Sequence, residues 1–302
     1  MPNFKVEGIV LRSRNFGEAD RILTILDHDL GKLEGVAKGA RRTRSVLRGP
    51  CQPFSHNLFF LWQGRTLDGI SQCEVIESFA RLRDDLLKLA AASYMVELVD
   101  DVARERDPSP ELFDLLLGSF RWLETADATP AGVTHVLRSF DLRLLGLAGF
   151  APVLDACATC GTPIEGWAGS GGVAFSAAAG GIVCPSCRVA SAEGDHSDGL
   201  GGGHGEGGGH GEGGGHGEGG GHGEGGGHGE GGGEGEGCPV ILLAVGTLAA
   251  MRHLARSAPE QARILRLTPR AAKEMERALR AHILYHLDRR LKSLAFLDSV
   301  LR

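Results

Sequence analysis

Four cysteines in two short pairs, Cys157-Ala-Thr-Cys160 and Cys184-Pro-Ser-Cys187, are the residues of this chain best suited to chemistry. Each pair can grip one edge of a metal ion. Together they supply the four thiolates of a tetrahedral zinc site, with 23 residues between the pairs. That interval slightly exceeds the usual ~15–20. No charged segment followed by an apolar one opens the chain, so export is not expected and the thiols should stay reduced, which disfavours two disulfides. A thioredoxin-like redox site would need one such pair at a strand-to-helix turn rather than two. Four protein ligands leave no position open for water. One structural Zn²⁺ is therefore expected, folding a module at 151–193 with little apolar material of its own.

A second cluster is basic. In KGARRTRSVLR, Lys38, Arg41, Arg42, Arg44 and Arg48 fall within 11 residues that contain no acid. On a loop such a cluster is either the electrostatic footprint of phosphate binding or a solvated basic surface. The nearby Phe54, Phe59, Phe60 and Trp62 either stack on bases or fill the interior, and most are expected in the interior. Near the C-terminus, Arg270, Lys273, Arg277 and Arg280 form a stripe whose bland reading is a charged solvent face and whose functional reading is a second DNA or partner contact. Arg138 and Arg143 are read in the same way, as surface charge or a grip on an acidic peptide. Asp84-Asp85 and Asp100-Asp101 are read as surface charge, and Cys51, Cys73 and Cys238 as small inert thiols. There is no Walker loop, no H-E-x-x-H and no G-x-S-x-G, so an enzyme is not indicated.

The most conspicuous segment, five copies of GGGHGE at 201–230 closed by GGGEGE, is the least able to fold. Residues 194–237 hold 27 of the 47 glycines, six histidines (His196, His204, His210, His216, His222, His228) and no lysine or arginine. With nothing to bury, 194–238 is expected to be a disordered loop of about 35–40 Å mean reach that captures Zn²⁺ or Ni²⁺ loosely at most. Its nine carboxylates also disguise the rest of the chain. The net charge of −6 becomes +3 without them, and both ends are basic.

The elements that must position these clusters follow from periodicity. Residues 1–80 carry five short strand signals (KVEGIVLRS, RILTILD, KLEGVAKG, HNLFFLWQ, TLDGISQCEVI) punctuated by Gly and Pro, which suits a small closed barrel of OB type. From Ser78 the spacing turns helical, with Leu82, Leu86, Leu89 and Ala90 on one face of a first helix. Further helices are expected over PELFDLLLGSFRWLE and VTHVLRSFDLRLLGLAGF, and a buried one over PVILLAVGTLAAM, too short to cross a bilayer. A last helix opens at Thr268-Pro269, runs past Lys292, and faces Met275, Leu279, Ile283 and Leu287 to a core. The expectation is an α+β chain: barrel at 1–80, helical domain at 81–150 plus 239–302, and cysteine module at 151–193.

With these parts in order, the chain resembles the bacterial recombination mediator family RecO. The likeness rests on EGIVLRSRNFGEADRILTILDHDLGKLEGVAKGARRTRS, FDLRLLGLAGFAPVLDACATCG, FSAAAGGIVCPSC and LYHLDRRLKSLAFL, and covers nearly all of 1–193 and 239–302. The departure is 194–237, which the family pattern does not require. The resemblance implies an OB barrel, a helical domain and an embedded zinc module. It also implies a cytoplasmic, nucleoid-associated, non-enzymatic role in DNA repair. That role is binding single- and double-stranded DNA, annealing complementary strands, and working with RecR to help RecA load onto strands coated by single-stranded DNA-binding protein. The acidic tail of that protein would meet helical-domain arginines, Arg138 and Arg143 among them. Two rivals come from the residues: a metal-handling protein using the His-Gly array, and a zinc-ribbon DNA-binding regulator.

Overall fold

The computed structural model describes residues 3–167, 172–193, 240–257, 259–287 and 291–301. The expected loop at 194–238, with its histidines and Cys238, lies outside the described residues.

Five strands, β1 (Asn3–Phe16), β2 (Asp20–Asp27), β3 (Gly31–Ala37), β4 (His56–Trp62) and β5 (Asp68–Glu77), close into a barrel in the order β1-β2-β3-β5-β4. β1 completes the circle by pairing with both β2 and β4, while β3 meets β5 in parallel. This is the OB-type barrel the strand signals predict. Alternation along β1 serves two cores at once. Val6 and Val10 point inward with Leu23, Ile25, Leu33, Phe59, Leu61 and Ile70, whereas Ile9 and Leu11 point outward into the helical core. A register shift between Val10 and Arg12 bends the strand where this second face meets the helices.

The helical part comprises α1 (Ala80–Asp84), α2 (Leu86–Val102), α3 (Pro110–Thr125), α4 (Pro130–Leu147), α5 (Pro185–Glu193), α6 (Val245–Arg256), α7 (Pro259–Ala262), α8 (Pro269–Leu287) and α9 (Lys292–Leu301). Three sequence expectations are corrected. The first helix is two, because Asp85 adopts an extended conformation and its carboxylate caps α2 by accepting from the Lys88 N–H at 2.9 Å, which leaves Leu86 exposed. The segment from 239 opens not as helix but as a strand, β8 (Ile241–Leu243), before α6 begins. The C-terminal helix stops short of Lys292, and α9 is a separate helix packed on α2. The Thr268 cap holds, its hydroxyl accepting from the Ala271 N–H at 3.2 Å, and Met275, Leu279 and Ile283 are buried as expected.

Two helix starts are capped from afar. Glu97 on α2 accepts from the N–H groups of Lys292 and Ser293 at 2.9 and 2.7 Å, and Glu274 on α8 accepts from Ala244 N–H and the Thr247 hydroxyl at 2.8 and 2.6 Å. Burial alone would push the Glu274 carboxyl up; Arg270, Thr247 and Ala244 outweigh it and hold it at about 2.

The barrel is joined to the helices by aromatic rings. Phe120 of α3 is fully buried and meets Phe54 and Phe79 edge-on, with ring centroids 5.7 and 5.5 Å away. Both partners hold left-handed backbone, φ 75° and 47°, which costs a non-glycine residue roughly 1–2 kcal/mol and persists only where packing over-determines it. Asp100, expected as surface charge, instead bridges the parts: it takes Arg12 of β1 at 2.5 Å and Lys32 of β3 at 3.1 Å. Gly31 is required there, since a Cβ would lie 2.2 Å from the Asp107 carbonyl oxygen.

Phe120→Ala should lower unfolding free energy by about 3–5 kcal/mol, read as a fall in the urea midpoint of the full chain. Glu274 has a depressed folded pKa, so its contribution is complete above about pH 4.5 and is lost as pH falls toward about 2. Glu274→Gln should flatten stability across that window in acid titrations.

Candidate metal centre and nucleic-acid interface

The four cysteines converge. Their sulfur atoms all lie within 4.8 Å of one another, with Cys160 Sγ and Cys184 Sγ 3.7 Å apart. Local backbone explains the convergence. After Cys157 the chain folds back in a tight knuckle: Gly161 N–H donates to Cys157 O at 2.8 Å, and Gly161 takes the left-handed φ of 74° that the turn requires. The second pair spans the end of β7 (Gly181–Val183) and the start of α5, with Pro185 in the helix's first turn. Backbone N–H groups point at the sulfurs, Cys184 N–H to Cys157 Sγ at 3.3 Å and Cys187 N–H to Cys184 Sγ at 3.5 Å.

Burial opposes ionisation of Cys157, but the N–H groups of Cys184, Cys160 and Thr159 outweigh it and bring this thiol down to about 6. The Thr162 hydroxyl and backbone lower Cys160, while Cys187 is pushed up to about 12 by hydrogen bonds with Cys184 and Cys160. The N–H groups and the Thr162 hydroxyl that point at these sulfurs favour thiolate, the form that binds a metal ion. Cys51 and Cys73 contrast with these: burial pushes both up to about 12, so neither is a nucleophile.

The cluster sits on a three-stranded sheet, β7-β6-β8, with β6 at Val173–Ser176. Its two faces divide the work. Val173, Phe175, Ile182 and Leu243 join the helical core, while Ala174 and Val183 pack against Cys157 and Cys184. The third strand comes from beyond the Gly-rich segment, so the module shares both its sheet and its core with the helical part. Two histidines of α8 fix it further, His282 Nε2 donating to Phe150 O at 2.9 Å and His286 Nε2 to Ala177 O at 3.1 Å. Burial lowers His282 to about 4, so it stays neutral near pH 7.

The basic cluster occupies the β3–β4 connection. Ala40, Leu47 and Cys51 are buried in the barrel core and pin this loop, while Lys38, Arg41, Arg42, Arg44 and Arg48 are all exposed. Gly39 N–H is held by Asp20 at 2.7 Å, and the Arg41 guanidinium donates to Gly17 O at 3.0 Å, tying the loop to the β1–β2 turn. None of the five forms an ion pair with a carboxylate among the described residues. That leaves their charge available to an outside anion.

The other candidate cations differ. Arg138 is not on the surface: it is 1% exposed and lies 3.3 Å from the fully buried Asp141, which also accepts from the Tyr94 hydroxyl at 3.1 Å. The i,i+3 spacing on α4 brings the two charges together on the face turned to the core, where burial pushes the Asp141 carboxyl up against the pull of Arg138. Surface charge and a grip on a peptide are therefore both ruled out for Arg138. Arg143 donates to Ser257 O at 2.8 Å and so braces α4 against the end of α6. Arg270 is spent on Glu274, and Arg280 on Glu276 and Asp298. Lys273 and Arg277 are exposed. The proposed stripe thus carries two cations paired with carboxylates, of which Arg270 is still exposed, and two exposed cations with no carboxylate partner among the described residues.

Most of the barrel aromatics are expected in the interior, and only half of the four are there. Phe54 and Phe59 are core residues, but Phe60 and Trp62 are on the outside of the barrel, with Lys5 Nζ 5.1 Å and Lys38 Nζ 5.7 Å over their rings. Lys5 carried no local signal, since only the pairing of β1 with β4 brings it beside Phe60. Phe60 and Trp62 carried an ambiguous one: every position of FFLW is apolar, so alternation alone does not say which pair faces out.

Comparison with known proteins covers nearly the whole chain. A family model described as "Recombination protein O N terminal" matches residues 1–79, and one described as "Recombination protein O C terminal" matches 83–199 and 235–295. The break in the second match, 200–234, spans most of the glycine repeats. Proteins named DNA repair protein RecO are similar to it. That of Symbiobacterium thermophilum is 36% identical over 300 residues, covering 99% of this chain and 98% of its own. That of Pelotomaculum thermopropionicum is 31% identical over 298 residues, covering 99% and 94%. The Moorella thermoacetica protein is 42% identical over 185 residues, 61% of this chain and 66% of its own. Among the described residues no helix is long and apolar enough to cross a membrane.

A Cβ at position 181 would lie 2.2 Å from the Val153 carbonyl oxygen, at the point where Val153 and Ile182 are hydrogen-bonded. Gly181→Ala should therefore push β7 away and loosen the cysteine cluster. The expected result is faster loss of bound metal to a chelator than from the unsubstituted chain.

Proposed function

Because the chain belongs to the recombination protein O family, whose role is DNA repair and recombination, we propose that it is a non-enzymatic mediator working on DNA in the cytoplasm, at the nucleoid. It binds single- and double-stranded DNA through the β3–β4 loop, anneals complementary strands, and with RecR helps RecA load onto strands coated by single-stranded DNA-binding protein. The observation that carries this reading is the loop itself: five exposed cations, no carboxylate partner among the described residues, and apolar pins that anchor the loop. Phosphate contacts of this kind carry no sequence information, so binding should be sequence-tolerant and strongly salt-dependent. Annealing then needs no catalytic group, only a surface that neutralises two strands at once.

With Arg138 buried, the acidic tail of the single-stranded DNA-binding protein must be met by other cations. Lys273 and Arg277 are exposed on α8 and available for such a contact.

For the metal centre we infer one structural Zn²⁺ held by Cys157, Cys160, Cys184 and Cys187. A tetrahedral ion with metal–sulfur distances of about 2.3 Å sets sulfurs about 3.8 Å apart, and the observed 3.7 Å between Cys160 and Cys184 fits that edge. The ion would supply cross-linking of the knuckle to the start of α5, and no step of DNA binding passes through it.

Arg42→Ala with Arg44→Ala should weaken DNA binding and reduce the slope of log affinity against log salt by about one unit per lost phosphate contact. Unchanged affinity and slope would remove the loop as the DNA site. In protein lacking residues 201–236, metal analysis should find one tightly held ion per chain. Cys157→Ser with Cys184→Ser should abolish it, and retention in that variant would overturn the assignment.

A further inference from the structure

The outward face of β4 departs from what a solvent-facing strand requires. Its inward residues Phe59 and Leu61 fill the barrel, so its outward residues Leu58, Phe60 and Trp62 should be polar. They are large and apolar instead, partly exposed, and none belongs to any of the apolar cores. Trp62 lies across Gly69 of β5, where a Cβ would come within 2.0 Å of indole Cε2, so the absence of a side chain at 69 makes its seat.

Charge along this face is graded by strand register. Residues directly opposite one another share a face, so each outward residue of β4 has two defined neighbours. Leu58 lies between Glu7 and Glu74, Phe60 between Lys5 and Gln72, and Trp62 between Asn3 and Gly69. Beyond Trp62 comes Lys38, the first cation of the basic loop. The face thus runs from acidic to basic, with its two rings at the basic end.

We propose that Phe60 and Trp62 are a stacking platform for two successive bases of single-stranded DNA whose backbone continues onto Lys38 and the arginines of the β3–β4 loop. The inference rests on the reading of that loop as the DNA site and adds the device that tells one strand from two. Bases within a duplex are stacked on each other and present no free face, whereas single-strand bases do. Lys5 and Lys38 now hold their ammonium groups over the rings; a base stacking there frees each lysine to pair with the adjacent phosphate. Phosphate neutralisation by the loop serves both forms of DNA, and the platform favours the single strand.

The test uses the full chain with Trp122→Phe and Trp167→Phe, which leaves Trp62 as the only indole, titrated with a 15-nucleotide oligothymidylate and with a duplex of equal length. The expected result is quenching of Trp62 emission by the single strand and not by the duplex. Trp62→Ala and Phe60→Ala should each weaken single-strand binding about tenfold, with duplex affinity and the salt slope unchanged, unlike the loop arginine variant. If the doubly substituted background loses its helical circular dichroism, the difference in quenching between the unsubstituted chain and Trp62→Phe gives the same readout. A single strand that binds while Trp62 emission stays constant overturns the platform and leaves the loop reading standing. Absence of any DNA binding by the unsubstituted chain at low salt overturns both.

Discussion

Phe120 of α3, closed in between Phe54 and Phe79, is the contact through which the barrel and the helices become one body. Neither flanking ring reaches it from ordinary backbone, for both residues hold left-handed dihedrals that only a filled aromatic pocket sustains. Phe54 closes the long β3–β4 connection, and Phe79 marks the exit from β5. Fixing these two residues therefore fixes where the basic loop ends and where the helices begin. Asp100, gripped by Arg12 and Lys32, secures the same junction from its other edge. The barrel's exposed face is what this docking leaves over, and that face carries the loop cations and the β4 rings.

The cysteine cluster does a parallel task in the β7-β6-β8 module. Its sheet is too small to hold a core alone and borrows one, with Phe175, Ile182 and Leu243 entering the helical interior. The strand β8 joins this sheet although the whole Gly-rich segment separates it from β6 and β7 in sequence. A loop of such length costs little more to close than a short one, because closure entropy grows only with the logarithm of length. This is a physical reason an insertion at this point leaves the fold intact.

The distribution of ion pairs separates structural from available charge. Most of the cations on the helices are used by the fold: Arg138 with Asp141, Arg270 with Glu274, Arg280 with Glu276 and Asp298, Arg143 on the Ser257 carbonyl. The five loop cations pair with no carboxylate among the described residues; Arg41 donates to Gly17 O and Lys38 lies over the Trp62 ring, and all five are exposed.

Much of this was legible in the sequence. Cysteine spacing pointed to the four-cysteine cluster that could hold a metal because two C-x-x-C pairs have few other geometric solutions, and strand periodicity with Gly and Pro punctuation determined a closed barrel, as did the Thr268 cap its helix start. Those signals are local, set by residues a few positions apart. What only the tertiary structure decided depends on partners far away in the chain. Asp85 ends one helix and begins another through its own side chain, a choice that helical periodicity alone does not register. Arg138 looked like surface charge because sequence shows neither Tyr94 beside Asp141 nor the core around them. Phe60 and Trp62 were indistinguishable from Phe59 and Leu61 because an all-apolar run has no polar phase. Strand register and the closing of the barrel chose which pair faces the solvent.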